Sequence, residues 1–237
     1  MKQFTIFPVF VLASALLMLQ GCGGDDKKND NTDTAEPSTQ SFSINVTNLT
    51  SQQTLSPVAV ILHNDGYHAY MLGEPASTAL EYLAEGGNNS FLLTEANSND
   101  SVISAVSGEG KIKPGESKKI EIEGEGEIFK ISLVSMLVNT NDGFIGRDGM
   151  DISGLSVDES KTFTARVYDS GTELNDEAAM TLPGQGGEGF NVARNDRDFI
   201  VIHPGVVSSE DGLSTSALSS LHRFDNPAVR VVVTRIE

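Results

Sequence analysis

SFSINVTN, residues 41–48, places Phe42, Ile44 and Val46 on one side of an extended chain and Ser43, Asn45 and Thr47 on the other. A period of two is the pattern of a strand with one face in a core and one in water. Working outward from it, Val58 to Leu62 is a short apolar run, and Lys119 to Glu123 alternates strictly with Ile120 and Ile122 on one face. Ile128 to Val138 reads as a central strand, Phe163, Ala165 and Val167 alternate again, Phe199 to Ile202 is apolar, and Ala228 to Ile236 is rich in Val. Between them lie Gly, Asn, Asp and Ser. One segment breaks the rule: ASTALEYLA, residues 76–84, sets Ala76, Leu80, Leu83 and Ala84 at helical spacing before Gly86-Gly87 ends the turn. The expectation is an all-β, antiparallel sandwich of about eight strands with one short helix on a crossover.

The chain starts differently. Lys2 is followed by an almost unbroken apolar run from Phe4 to Leu19, which ends at Leu19-Gln20-Gly21-Cys22. The run is short for a membrane span and suits a signal peptide over residues 1–21. Its end resembles a lipobox, in which the Cys is lipidated and becomes the new N-terminus. Cys22 is the only Cys in the chain, so no internal disulfide is available. Gly23 after it, in place of Asp, favours the outer membrane. Residues 22–41 have almost no large apolar side chain and read as a flexible tether, and residues 42–237 as the folded domain.

At 237 residues the chain suits one sandwich domain, and its formal net charge of -17 excludes a phosphate-binding surface for nucleic acid. The absence of Trp, with only 4 Tyr, argues against a groove of stacked aromatics. Gly184 to Gly189 matches G-x-G-x-x-G, but Pro183 precedes it and Phe190-Asn191-Val192 follows, so the strand and helix that a dinucleotide loop needs are missing. His63 and His68, in HNDGYH, bracket a turn and read as structural histidines. Spacing assembles no pair of nucleophile and base.

Two acidic loops stand out. NTNDGFIGRDGMD, residues 139–151, follows the long strand, and DSGTE, residues 169–173, follows the strand that contains Phe163. Carboxylates at strand ends within Gly-rich turns can curl around a hard cation such as calcium. An EF-hand does not fit, because Gly143 as its sixth residue would put Val138 and Gly149 at the outer ligand positions. Spacing alone leaves two readings open: a cation site, or two solvated turns.

Five stretches together resemble the spondin N-terminal domain family: NVTNLTSQQTLSPVAVILH (45–63), LGEPASTALEYLAEGG (72–87), SMLVNTNDGFIGRDGMD (135–151), VYDSGTE (167–173) and AVRVVVTRI (228–236). The resemblance implies a C2-like antiparallel β-sandwich with a structural calcium ion at one end. It also implies three carboxylate ligands, which fall on Asp142, Asp169 and Glu173. This chain has Asn141-Asp142-Gly143 where the family has Pro-Asp-Trp, and Glu173 where it has Asp. The function so implied is a non-catalytic adhesion or ligand-binding module for a protein or glycan, held at the cell envelope by its lipid. The alternative is an envelope hydrolase assisted by calcium or by His63 and His68.

Overall fold

The computed structural model describes residues 39–126 and 130–237. The signal peptide, Cys22 and most of the tether therefore lie outside the described residues. β1 (Thr39–Asn48) begins three residues before Phe42 and buries Phe42, Ile44 and Val46, as its alternation dictates. β2 (Ala59–His63), α1 (Thr78–Gly86), α2 (Ser90–Asn97), β3 (Val102–Ser107), β4 (Ser117–Glu125) and β5 (Lys130–Met136) follow. Next come β6 (Gly143–Asp151), β7 (Ser160–Asp169), β8 (Val201–Ile202) and β9 (Val229–Arg235).

The strands run antiparallel in the order β3-β2-β5-β6-β7-β9-β1-β4, with β8 added beside β7. β7 turns the corner. Its first half, Ser160 to Ala165, pairs with β9, while Arg166 to Asp169 pair with β6. The chain of strands thereby folds into two sheets that face each other. Between them lies one core, with Phe42, Ile44 and Val46 of β1 and Val229, Val231 and Val233 of β9 from one sheet. Val60 and Leu62 of β2 and Ile131 and Leu133 of β5 come from the other. The all-β sandwich expected from the alternation is what forms.

The β2-β5-β6 sheet is covered on its outer face as well. Ala59, Ile61, Val134, Met136 and Phe144 point away from the main core and pack against Leu80, Leu83 and Ala84 of α1 and Leu92 and Ala96 of α2. A strand buried on both faces has no side turned to water, which is why β2 reads as an apolar run and β5 breaks its run only with the buried, hydrogen-bonded Ser132 and Ser135. α1 starts at Ser77, whose hydroxyl accepts the Leu80 amide at 3.2 Å, and stops at Gly87 in the left-handed conformation (φ 68°).

Three elements depart from the sequence reading. There are two helices, because α2 begins on an Asx turn in which Asn88 Oδ1 accepts the Ser90 amide at 3.1 Å and its hydroxyl at 2.8 Å. Only Leu92 and Ala96 mark its buried side, too few to show a period. β3, within a Ser-rich stretch, was not expected as a strand. Residues 143–151 are not loop but β6, whose three glycines and three charges mask its alternation. Gly146 is required there, since a Cβ would lie 2.7 Å from the Tyr70 ring.

Phe144, fully buried, meets Tyr70 edge-on with ring centres 5.2 Å apart. Phe144→Ala is expected to lower the free energy of urea unfolding by about 3–5 kcal/mol. Met180→Ala, at a residue 74% exposed, should stay within about 0.5 kcal/mol of the parent.

Candidate functional site

The turn from β5 to β6 is closed by its own backbone. The Leu137 amide donates to Gly143 O at 2.9 Å, and the Thr140 hydroxyl accepts the Gly143 amide at 3.0 Å. Gly143 has no room for a side chain, because a Cβ would meet Thr140 Oγ1 at 2.5 Å and His203 Cδ2 at 3.0 Å. A larger side chain at this position, such as the aromatic that the resemblance would lead one to expect, is thus excluded by Thr140 and His203.

This turn delivers Asp142 into the protein, where it is fully buried. Its Oδ2 accepts four hydrogen bonds from the loop after β7: Ser170 Oγ at 2.9 Å, Thr172 N at 2.8 Å, Thr172 Oγ1 at 3.3 Å and Glu173 N at 3.1 Å. Its Oδ1 has no partner. Burial, reinforced by the neighbouring Asp169 carboxylate, pushes the Asp142 acid up to about 7 in spite of these donors.

Asp169, at the end of β7, is also buried. Its Oδ1 accepts the Gly171 amide at 2.8 Å and its Oδ2 the Asn175 side-chain amide at 2.7 Å. Gly171 has φ 73°, and a Cβ would lie 2.4 Å from Phe199 O, so this tight turn admits only glycine. Glu173 is buried as well, and its carboxyl is pushed up to about 8, first by desolvation and then by Glu85 and Asp142.

Glu85 is the residue that spacing did not reveal. It sits in the last turn of α1, 1% exposed, with Oε2 accepting the Asn191 amide at 2.8 Å and Oε1 unpartnered. Its pKa is raised by burial. An acid near a helix C-terminus works against the helix dipole, and that was the available signal. Among the described residues, no Lys or Arg forms an ion pair with Asp142, Asp169, Glu173 or Glu85.

The structure thus places the three expected carboxylates on two adjoining loops and adds a fourth beside them. Among the described residues, however, no three His, Cys, Asp or Glu side chains converge on one point closely enough to form a metal cluster as they stand. The donor set still suits a hard cation: every candidate ligand is a carboxylate, and Asp142 Oδ1 and Glu85 Oε1 are buried with nothing to bind.

His203 lies against the same turn. Its Nδ1 accepts the Gly205 amide at 2.9 Å, so the ring hydrogen sits on Nε2, which is buried without a partner. Burial holds its pKa down at about 4.

His63 and His68 belong to a separate network. His63, fully buried at the end of β2, makes 2.8 Å contacts to Asn64 O through Nδ1 and to Ser132 Oγ through Nε2. Ser132 donates to Asp148 Oδ1 at 2.8 Å, and exposed His68 reaches Asp148 Oδ2 at 2.6 Å. The fold therefore does bring a serine to a histidine, which spacing had not indicated. Both are sealed from solvent, the serine hydrogen is held by Asp148, and none of the five main clefts reaches them.

The raised carboxyls fix the sign of a pH effect. An acid that holds its proton more tightly folded than unfolded makes the native state bind more protons, so stability rises as pH falls through that window. Between pH 8 and pH 6.5 Asp142 and Glu173 dominate, and His63 and His203, whose pKa values burial depresses, oppose them increasingly as the pH nears 6.5. In a chelator, unfolding free energy should increase on the order of 1 kcal/mol between pH 8 and pH 6.5. The double variant Asp142→Asn/Glu173→Gln should lose that slope in urea melts, and a wild-type protein with no slope would contradict the assignment.

No curated protein matches the chain. The model of the Spondin_N family matches residues 38–182, a span that runs from β1 through the Asp142 turn and the Asp169 loop and stops before β8 and β9. The chain belongs to the spondin N-terminal domain family.

Proposed function

We propose that this protein is a non-catalytic ligand-binding module whose loop end is stabilised by calcium and which is displayed at the cell envelope through a lipid on Cys22. The observation that carries the reading is a set of buried acids, Asp142, Asp169, Glu173 and Glu85, that no Lys or Arg among the described residues pairs with, and two of whose oxygens are unbonded. Ionised at neutral pH, such a set is strained by desolvation and mutual repulsion. Calcium would supply the missing positive charge.

Asp142 and Asp169 would be the ligands already positioned, since hydrogen bonds from the 170–175 segment fix both carboxylates. Glu173 and Glu85 would contribute from the rim, each the other's electrostatic neighbour. The role is structural: these residues tie the β5–β6 turn to the loop after β7. The lipid anchor, an outer-membrane location and a protein or glycan ligand complete the proposal and rest on the sequence around Cys22 and on family membership. The hydrolase reading finds little support, because Ser132 and His63 have no approach for a substrate.

Affinities of extracellular calcium modules lie around 10⁻⁴ to 10⁻³ M, and saturation at about 100 times Kd adds roughly 2.7 kcal/mol. Thermal unfolding should therefore shift upward with millimolar calcium. Asp142→Asn, whose amide oxygen can still accept the hydrogen bonds made to Oδ2, should lose that shift while changing little in EDTA. Equal losses in both conditions, or no heat in a calcium titration, would overturn the reading.

A further inference from the structure

His63 Nδ1 lies 2.8 Å from the Asn64 carbonyl oxygen, which can only accept, so Nδ1 carries a hydrogen. Nε2 of the same ring lies 2.8 Å from Ser132 Oγ, and Ser132 Oγ lies 2.8 Å from Asp148 Oδ1. Ser132 has one hydrogen to give, and its Oγ already accepts the Gly149 amide at 2.8 Å. A neutral ring with its hydrogen on Nδ1 has none on Nε2, and a carboxylate has none at all. One serine hydrogen cannot then serve both contacts. The two are hydrogen bonds together only when the trio holds one more proton. With Ser132 donating to Asp148, that proton sits on His63 Nε2, which donates to Ser132 Oγ. With the proton on Asp148 instead, both bonds reverse and the count is the same.

The proton so bound is buried yet connected to the surface. His63 and Ser132 are fully buried, while Asp148 keeps 17% of its side chain exposed and meets the exposed His68 through Oδ2. Asp148 also holds the chain that follows β2. Its Oδ1 accepts the Ala69 amide at 2.9 Å, and the next residue, Tyr70, packs on Phe144. Few charges act on His63. Asp148 of β6 favours a positive ring; Lys130, opposite it on β5 and paired with exposed Asp65, opposes one, as does His68. The Tyr67 ring meets His63 edge-on at 5.2 Å, with Glu95 of α2 acting on Tyr67 in turn. β3, which sets Val102 opposite His63, carries no charge. Burial works against the proton, and the Asn64 carbonyl and Asp148 work for it, so neither state is locked.

We propose that His63, Ser132 and Asp148 form a buried proton switch that latches the segment from Asn64 to Tyr70 onto β5 and β6. With the proton bound, Ser132 bridges His63 and Asp148, and every hydrogen in the trio has an acceptor. On its loss one serine contact has no hydrogen, and two lone pairs face each other. The bridge opens at Asp148, because His63 is fixed by burial and by Asn64 whereas the carboxylate reaches water. Asp148 then turns from Ser132, and its hold on Ala69 slackens. The switch shares no residue with Asp142, Asp169, Glu173 or Glu85, so it stands independently of the calcium reading.

The test is nitrogen NMR of the purified protein labelled in histidine, with hydrogen exchange of the Ala69 amide alongside. Between about pH 4 and pH 8 the His63 ring should lose one proton, and the neutral ring should keep its hydrogen on Nδ1, the tautomer that free histidine disfavours. The protection factor of the Ala69 amide should fall with the same midpoint, and His68→Gln should leave that step in place. Asp148→Asn, whose amide oxygen can still accept from Ser132 and Ala69, should lower the proton affinity of His63 by about tenfold or more. Ser132→Ala should uncouple Ala69 from the His63 titration. If neither variant folds, the wild-type tautomer and the shared midpoint decide. A neutral ring with its hydrogen on Nε2, a ring that does not titrate in this range, or a midpoint unmoved by Asp148→Asn would overturn the proposal. So would Ala69 protection without a step at that midpoint, a step lost in His68→Gln, or one that persists in Ser132→Ala.

Discussion

Ser170, Thr172 and Glu173 all donate hydrogen bonds to a single oxygen, Oδ2 of Asp142, and that convergence fixes the loop end of the sandwich. The donors lie in the loop that leaves β7, and the bonds carry on from the β6–β7 ladder, which ends at Gly143 and Asp169 with Ser170 N donating to Asp142 O. A buried carboxylate is a costly way to make such a joint. Its other oxygen is left unbonded, and its neighbour Asp169 is a second acid. A neutral Asn could accept the same amides at lower cost. The negative charge is hence the feature that hydrogen bonding within the fold does not explain, and it makes a cationic partner the economical account of the residue type.

The layers decide what can be read from the sequence and what cannot. β1, β4 and β9 have one face on the core and one toward water, and their alternation is plain in Phe42-Ser43-Ile44 or Ile120-Glu121-Ile122. β6 lies between β5 and β7 and under Tyr70, so it needs glycine where side chains approach, and its sequence looks like a loop. α2 covers β3 with little more than Leu92 and Ala96, too short a signal for a period. The patterns that fail are those where neighbouring elements, rather than solvent, set the identity of a side chain.

The site divides in the same way. Spacing marked the two acidic loops, the family resemblance singled out Asp142, Asp169 and Glu173 within them, and the fold joins the two segments through Asp142. Glu85 lay hidden in an amphipathic helix where a charged residue is ordinarily a solvent-facing one. Only the antiparallel register of β2 and β5, which sets Leu62 against Ile131 and Ile61 against Ser132, brings His63 and Ser132 within reach, although they are 69 residues apart.

The formal charge of -17 therefore conceals two populations of acid with opposite physics. Glu121, Glu123 and Glu125 are exposed; water and salt screen them, they cost the fold little, and their field acts on whatever approaches that face of β4. Asp142, Asp169, Glu173 and Glu85 are buried, so charge there is felt by the fold itself, through the raised pKa values of Asp142, Glu173 and Glu85 and the unbonded oxygens of Asp142 and Glu85. A surface population of that kind selects partners by sign. An interior one makes folding stability answer to protons and to cations, because either can remove the same repulsion. The two would compete for the same oxygens, so on the calcium reading proposed above any stabilisation of this end of the sandwich by the ion would diminish as the pH falls and protons take its place.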